Sequence, residues 1–231
     1  MSRMSTPPAA GATNTFPVTG RTRVRRRAER AVHDRDEIHA ILDAGLVCHL
    51  GFAAEHGPVV LPTAYVRIGD GVVVHGSSRS GMLQTLAHGG DVCCTVTHLD
   101  GLVLARSAFH HSVNYRSVVL FGRAQVLEAP EAKCEALRAF FTRLYPGRWE
   151  AVRPPTDAEL KATLVLRIPI VEAVAKRRLG PPVDDEDDYA LPVWAGVLPL
   201  AMTAGAPVPD ARLPHGAGAP PIRYPGLGPV R

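Results

Sequence analysis

The densest run of groups able to do chemistry lies between Pro62 and Leu86, where PTAYVR leads to VVVH and then to GSSRSGMLQTL. Ser77, Arg79 and Ser80 stand just ahead of a short helical pattern, MLQTLAH. A helix start offers backbone N–H groups without partners and the positive end of a dipole. Two hydroxyls and a guanidinium add donors that suit a phosphate. The same serines would also serve as plain helix caps with Arg79 solvated, and pattern alone leaves both roles open. His75, closing VVVH, titrates near neutrality and fits either proton transfer or a hydrogen-bonded strand end.

A second group lies further along. His110 and His111 are adjacent, so in an extended chain they point to opposite faces and do not easily share one metal; structural or supporting roles are expected. Ser107 with His110 and Asp100 lacks the strained G-x-S-x-G elbow of a hydrolase, and that reading is rejected. Arg106 and Arg116 bracket FHHSVNY and fit either a positive wall for an anionic substrate or pairing with nearby acids. The run Asp184, Asp185, Glu186, Asp187, Asp188 does not match a calcium loop. It is expected to be a solvated loop pairing with Lys176, Arg177 and Arg178. Cys48, Cys93, Cys94 and Cys134 match no zinc spacing and read as small buried hydrophobes. No metal site is expected.

The elements that must carry these residues are mostly extended. Asp34 caps a helix with Glu37 three residues on, Ile38, Ile41 and Leu42 form its apolar stripe, and Gly45 ends it. Strands are expected at 47–52 and 59–68, then at VVVH after the Asp70-Gly71 hairpin signal, and at 91–99 and 101–109. Two more follow at 115–127, bending at Gly122, and at 164–176, bending or lying at an edge because of Pro169. Pro130 opens a helix with Cys134, Leu137, Phe140, Phe141 and Leu144 on one face. Six or seven strands with few helices predict a mainly β (α+β) antiparallel barrel.

With 46% hydrophobic and 21% charged residues, the 231-residue chain should bury one real core. Residues 1–20 and 203–231 are rich in Pro and Gly without periodicity and are expected to be tails around a domain at 21–202. The net charge of +4 draws heavily on six arginines between Arg21 and Arg30. That cluster reads as a solvated lead-in, so no nucleic-acid partner is expected. No apolar run of about 18 residues is present to span a bilayer, and no signal peptide is apparent at the start, which makes a reducing cytoplasm the expected setting.

The runs CHLGF, PTAY, HGSSRS, LDGLVLARSAFHHSVNYRSVVLFG and PVWAGVLPL together resemble the nitroimidazole-resistance (Nim-like) branch of the pyridoxamine 5′-phosphate oxidase-like flavoproteins, over residues 25 to about 213. The resemblance implies a split β-barrel homodimer with FMN at the subunit interface. It implies that Pro62, Thr63, Ala64 and Tyr65 line the flavin ring, largely through backbone groups, with His75 and Gly76 closing its neighbourhood and His75 a catalytic candidate. It places Ser77 and Ser80 at the phosphate, Arg116 and Ser117 near the flavin, and Trp194 toward the other subunit's flavin. Oxidases of the wider family follow the serine with basic residues, whereas Gly81 and Met82 stand here, so Arg79 is expected to substitute. The expected function is an FMN-dependent oxidoreductase moving electrons from a nicotinamide donor or a partner to a small, nitroaromatic acceptor. The alternatives are a non-catalytic flavin- or haem-binding protein and a deazaflavin-dependent reductase.

Overall fold

The computed structural model describes residues 14–214 and Gly218. In chain order the first half holds β1 (Ala31–Val32), α1 (Arg35–Ala44), β2 (Val47–Ala54), β3 (Gly57–Ala64), β4 (Val66–Arg67), β5 (Gly71–Ser77), α2 (Gly81–Ala87) and β6 (Asp91–Leu104). The second half holds β7 (Ser112–Arg123), β8 (Gln125–Val126), α3 (Pro130–Leu144), α4 (Asp157–Lys161), β9 (Thr163–Pro169), β10 (Glu172–Arg178) and β11 (Gly196–Pro199). A seven-stranded sheet runs β1-β10-β7-β6-β2-β3, with β11 added beside β6, and a four-stranded sheet runs β4-β5-β9-β8. Every pairing is antiparallel.

The chain leaves one sheet for the other at four places: Tyr65 between β3 and β4, the α2 segment between β5 and β6, Ala124 between β7 and β8, and Ile170–Val171 between β9 and β10. These crossings are what make an antiparallel split barrel, and the expected fold class stands. They also explain why the strands outnumber the six or seven expected. The runs 59–68, 115–127 and 164–176 each read as one strand, and each is divided where it changes sheet. Strand periodicity reports a period of two but not which sheet a residue joins.

Side chains alternate along each strand, so Cys48, Leu50 and Phe52 of β2 enter the core with Cys94 and Val96 of β6 and Val118 and Leu120 of β7. Asp34 caps α1 through its carboxylate to the Glu37 N–H at 2.9 Å, and the stripe Ile38, Ile41 and Leu42 is buried against the barrel. Each such side chain contributes roughly 1.5–3 kcal/mol. Tyr65 lies 1% exposed in this core, donating its hydroxyl to the Leu42 carbonyl, and burial pushes its pKa far up.

Two expectations are corrected. The strands expected at 91–99 and 101–109 are not separate. β6 runs 14 residues through Asp100-Gly101, with Asp100 as a bulge, because β7 pairs along its length from Asp91↔Arg123 to Val103↔Ser112. The turn falls instead at the 3-10 segment Ala108–His110. The N-terminal tail is also shorter than expected. The chain is anchored from Phe16, which is 1% exposed, and by Thr19 and Arg21, both bonded to Glu172. Residues 203–214 are largely exposed, and the rest of the two tails lies outside the described residues apart from Gly218. Among the described residues no helix is long and apolar enough to cross a membrane.

Gly45 has φ −90°, which any residue tolerates, yet a Cβ there would run into the Tyr65 hydroxyl and come within 2.9 Å of Val96 Cγ1. Gly45→Ala should therefore cost about 1–3 kcal/mol by overpacking. Urea unfolding measures it, and undiminished stability would show that Tyr65 moves aside freely.

Candidate functional site

The register of the large sheet assembles an outward face. His49 of β2 stands opposite Pro62 of β3 and Thr95 of β6, and Thr97 of β6 stands opposite Ser117 of β7. Their neighbours along each strand point into the core, so these residues share one half-polar surface. β3 ends the sheet, which leaves one side of its backbone without a strand partner and exposes Val60 and Leu61. An edge of this kind offers N–H and C=O groups at fixed spacing to a flat polar ring. Pro62, Thr63 and Ala64 all lie on it.

β5 runs back along the β3–β4 segment and touches β3, carrying Ser77 and the following turn alongside this edge. Ser77 Oγ accepts from the Arg79 N–H at 3.2 Å, and the Ser80 N–H donates to the Ser77 carbonyl at 2.9 Å. Ser80 Oγ caps α2 by accepting from the Leu83 N–H at 3.4 Å. The serines thus do shape the turn and cap the helix, while Arg79 is exposed and makes no ion pair among the described residues. Gly76 sits above Leu83, whose Cδ1 would lie 3.0 Å from a Cβ at that position.

Three of the expected site residues turn elsewhere. His75 pairs with Val165 on the opposite side of the small sheet, and its ring meets Phe140 of α3 edge-on at 4.4 Å. Burial lowers its pKa and its Nδ1 has no partner, so the structure packs the His75 ring against α3 rather than turning it toward the β3 edge. The Tyr65 side chain belongs to the core. Arg116 follows the inward parity of its strand while Ser117 faces out, and its guanidinium grips Asp100 at 2.9 and 2.8 Å. The Asp100 hydrogen bond raises the Arg116 pKa against the opposing effect of burial. Ser117 Oγ donates to the Lys176 carbonyl at 3.1 Å. Two surface cavities, about 310 and 560 Å³, lie against α3 and touch none of the Ser77–Ser80 turn.

The acidic run is solvated only in part: Asp185, Glu186 and Asp187 are exposed, whereas Asp184 is buried. The Asp184 side chain has no exposed surface and accepts from the Arg106 backbone N–H at 2.9 Å and its guanidinium at 3.0 Å. Burial pushes the Asp184 pKa up, but these hydrogen bonds outweigh it and hold the carboxyl below the usual range. Arg106 also lies 5.0 Å over the Tyr189 ring. Arg177 pairs with Glu37, and Arg178 with Asn114 and nearby carbonyls, so neither serves the acidic run as expected. His110 joins this cluster: one of its ring nitrogens and the Asp184 and Asp188 carboxylates lie within 4.8 Å of one another. With Arg106 already on Asp184, we read it as an ion-paired clasp. Sequence reasoning missed the clasp because five consecutive acids look uniformly solvated and nothing local marks the one that is buried.

The clasp holds the segment that presents Trp194. Trp194 is 67% exposed, with its indole over Gly196, where a Cβ would come within 2.9 Å of the ring. β11 pairs with Gly101–Leu104 of β6, while β2 pairs with Val92–Thr95. At about 3.3 Å per residue that separates Trp194 from the β3 edge by roughly 30 Å along the strand.

A family model described as pyridoxamine 5′-phosphate oxidase matches residues 34–177. Among solved structures the chain is similar to the flavocytochrome Anf3 from Azotobacter vinelandii, at 43% identity and TM-score 0.84 over 89% of this chain and 98% of that one. It is also similar to the FAD and heme binding protein from Mycobacterium smegmatis, at 37% identity and TM-score 0.80 over 83% and 94% of the two chains. A candidate 5-nitroimidazole antibiotic resistance protein from Bacteroides thetaiotaomicron shares the fold, at 20% identity and TM-score 0.54 over 63% and 85%. A search of curated proteins gave no match.

The buried His75 makes a pH prediction. Its ordinary pKa is 6.5 and the folded value is lower, so below pH 6.5 the unfolded chain takes up a proton that the folded one resists. Stability should fall as pH drops from about 6.5 toward 5, and His75→Leu should flatten that decline. His39, lowered chiefly by burial, will leave a residual slope. Melting temperatures across this range test it, and superimposable profiles would mean that His75 protonates as readily folded as unfolded.

Proposed function

Because the chain belongs to the pyridoxamine 5′-phosphate oxidase family, we propose that it is a flavin-binding redox protein working as two copies, with the flavin ring along β3 and its phosphate at the Ser77–Ser80 turn. The observation that carries this reading is the free edge of β3 lying beside a turn whose one cation, Arg79, has no ion-pair partner among the described residues. Two relatives above 35% identity are named for a flavin. FAD is favoured over FMN. A terminal phosphate carries close to two charges near pH 7 and would face Arg79 alone, since Gly81 and Met82 stand where oxidases of the family have basic residues.

The bound flavin would supply hydride and single-electron chemistry. The chain's own task is to hold it. Pro62, Thr63 and Ala64 would seat the ring with backbone groups, Ser77, Arg79 and Ser80 would take the phosphate, and His49, Thr97 and Ser117 would border the acceptor. A second copy supports the reading because Trp194 lies too far along β6 to reach its own chain's β3 edge. The outward face also exposes Val47, Val60 and Leu99, an apolar surface of the kind that a partner covers. Electrons would come from a reduced nicotinamide or a partner protein and pass to a small acceptor, with nitroaromatics as the first class to screen. Four free cysteines agree with a reducing cytoplasm.

A second reading adds haem to the flavin, making the protein an electron carrier. It is favoured because two of the relatives compared above are named as a flavocytochrome and as binding heme.

Mass spectrometry of whatever heat releases from the purified protein should find FAD, with FMN as the alternative; finding no flavin even after incubation with either would overturn the reading. Ser77→Ala with Arg79→Ala should weaken flavin binding by about tenfold or more while circular dichroism stays unchanged. Equal affinity would remove the phosphate from this turn. Trp194→Ala should lower either dimer content in sedimentation or flavin affinity, and a variant unchanged in both would leave Trp194 no part in the site.

A further inference from the structure

His111 alone among the described histidines combines three features of an iron ligand, and we infer that its Nε2 ligates a haem iron on the outward face of β6, β7 and β11. The inference rests on the haem-containing reading above. First, His111 Nδ1 meets the Ser107 carbonyl at 2.8 Å. An N–H donated there fixes the tautomer and leaves Nε2 as a lone pair, which is how ligating histidines are ordinarily held. Second, His111 is exposed. Third, an apolar floor lies beside it. Leu198, Leu102 and Val113 stand in register across three adjacent strands, and all three are exposed.

Strands about 4.8 Å apart make that floor roughly 10 Å wide and flat, a shape suited to a planar macrocycle. His111 is extended (φ −58°, ψ 142°), so its side chain leaves on the same side as that of Val113 two residues on. Phe109, two residues before His111, stands 89% exposed with its ring edge-on to His110 at 5.2 Å. A largely solvated phenyl ring marks a surface that another group covers.

The other histidines lack one feature or more. His33, His39 and His75 have buried ring nitrogens. His98 spends Nε2 on the Ile41 carbonyl at 3.0 Å, and His110 faces the Asp184 clasp. His49 and His56 have no ring hydrogen bond among the described residues. His88 does have one, to the Gln84 carbonyl at 2.6 Å, but stands before Gly89 and Gly90 with no apolar floor.

The test is titration of the full chain with haemin, followed in the visible spectrum. Wild type should give a Soret band of a histidine-ligated iron. His111→Ala should bind haemin at least tenfold more weakly with a displaced Soret band, and added imidazole should restore the band's position. His111→Met should bind with a spectrum distinct from both, while His110→Ala and His88→Ala should match wild type. Circular dichroism and flavin content of each variant report folding independently. A wild-type protein that binds no haemin overturns the haem reading and this ligand with it. Wild-type binding that His111→Ala and His111→Met leave unchanged overturns the ligand alone.

Discussion

The ladder between β6 and β7 is the constraint on which the rest of the molecule depends. It runs from Asp91↔Arg123 to Val103↔Ser112, and every other strand of the large sheet is placed by attachment to one of its sides. β2 and then β3 build outward from one end of β6, β11 from the other, and β10 from the far side of β7. Backbone hydrogen bonds along two long strands leave little freedom to slide, because a one-residue slip would turn Cys94, Val96, Val118 and Leu120 out of the core. The bulge at Asp100 is the single irregularity, and the Arg116 guanidinium closes over it.

Length turns this ladder into a functional argument. The β3 edge with its serine turn and the Trp194 segment are held at opposite ends of one rigid strand. One end presents unpaired backbone and a cation, the other an exposed indole over Gly196. A symmetric pair of chains would bring unlike ends together, which is the economical way for one sequence to enclose a large planar group between rigid walls.

Several arginines are tied to acids within the fold. Arg116 is spent on Asp100, Arg106 on Asp184, Arg67 on Asp43 and Arg21 on Glu172. Arg79 stands apart from this pairing at the serine turn. An anion arriving there meets a cation that gives up no existing partner. The pairing of Arg106 with Asp184 serves position instead, since it ties the chain before β11 to the turn that carries His110 and His111.

Much of the fold was legible because its signals are local. The Asp34 cap, the Ile38-Ile41-Leu42 stripe and the Asp70-Gly71 hairpin depend only on neighbouring residues, and each lies where the spacing put it; the period-two runs form strands as well, but where each strand ends follows the sheet it joins. The turn that presents Ser77, Arg79 and Ser80 also lies where the spacing put it. Other features depend on which surfaces meet across the chain, and no local pattern carries that. Asp100-Gly101 became a bulge because a second long strand lay alongside. His75 faces α3 because β5 joined the smaller sheet, and Asp184 is buried because Arg106, 78 residues away, reaches it. Sequence by itself determined the strands, the caps and the chemistry available at the turns, through backbone geometry and side-chain period. Only the tertiary structure decided which face each side chain joined and which charges were left unpaired, because burial and pairing belong to contacts between distant segments.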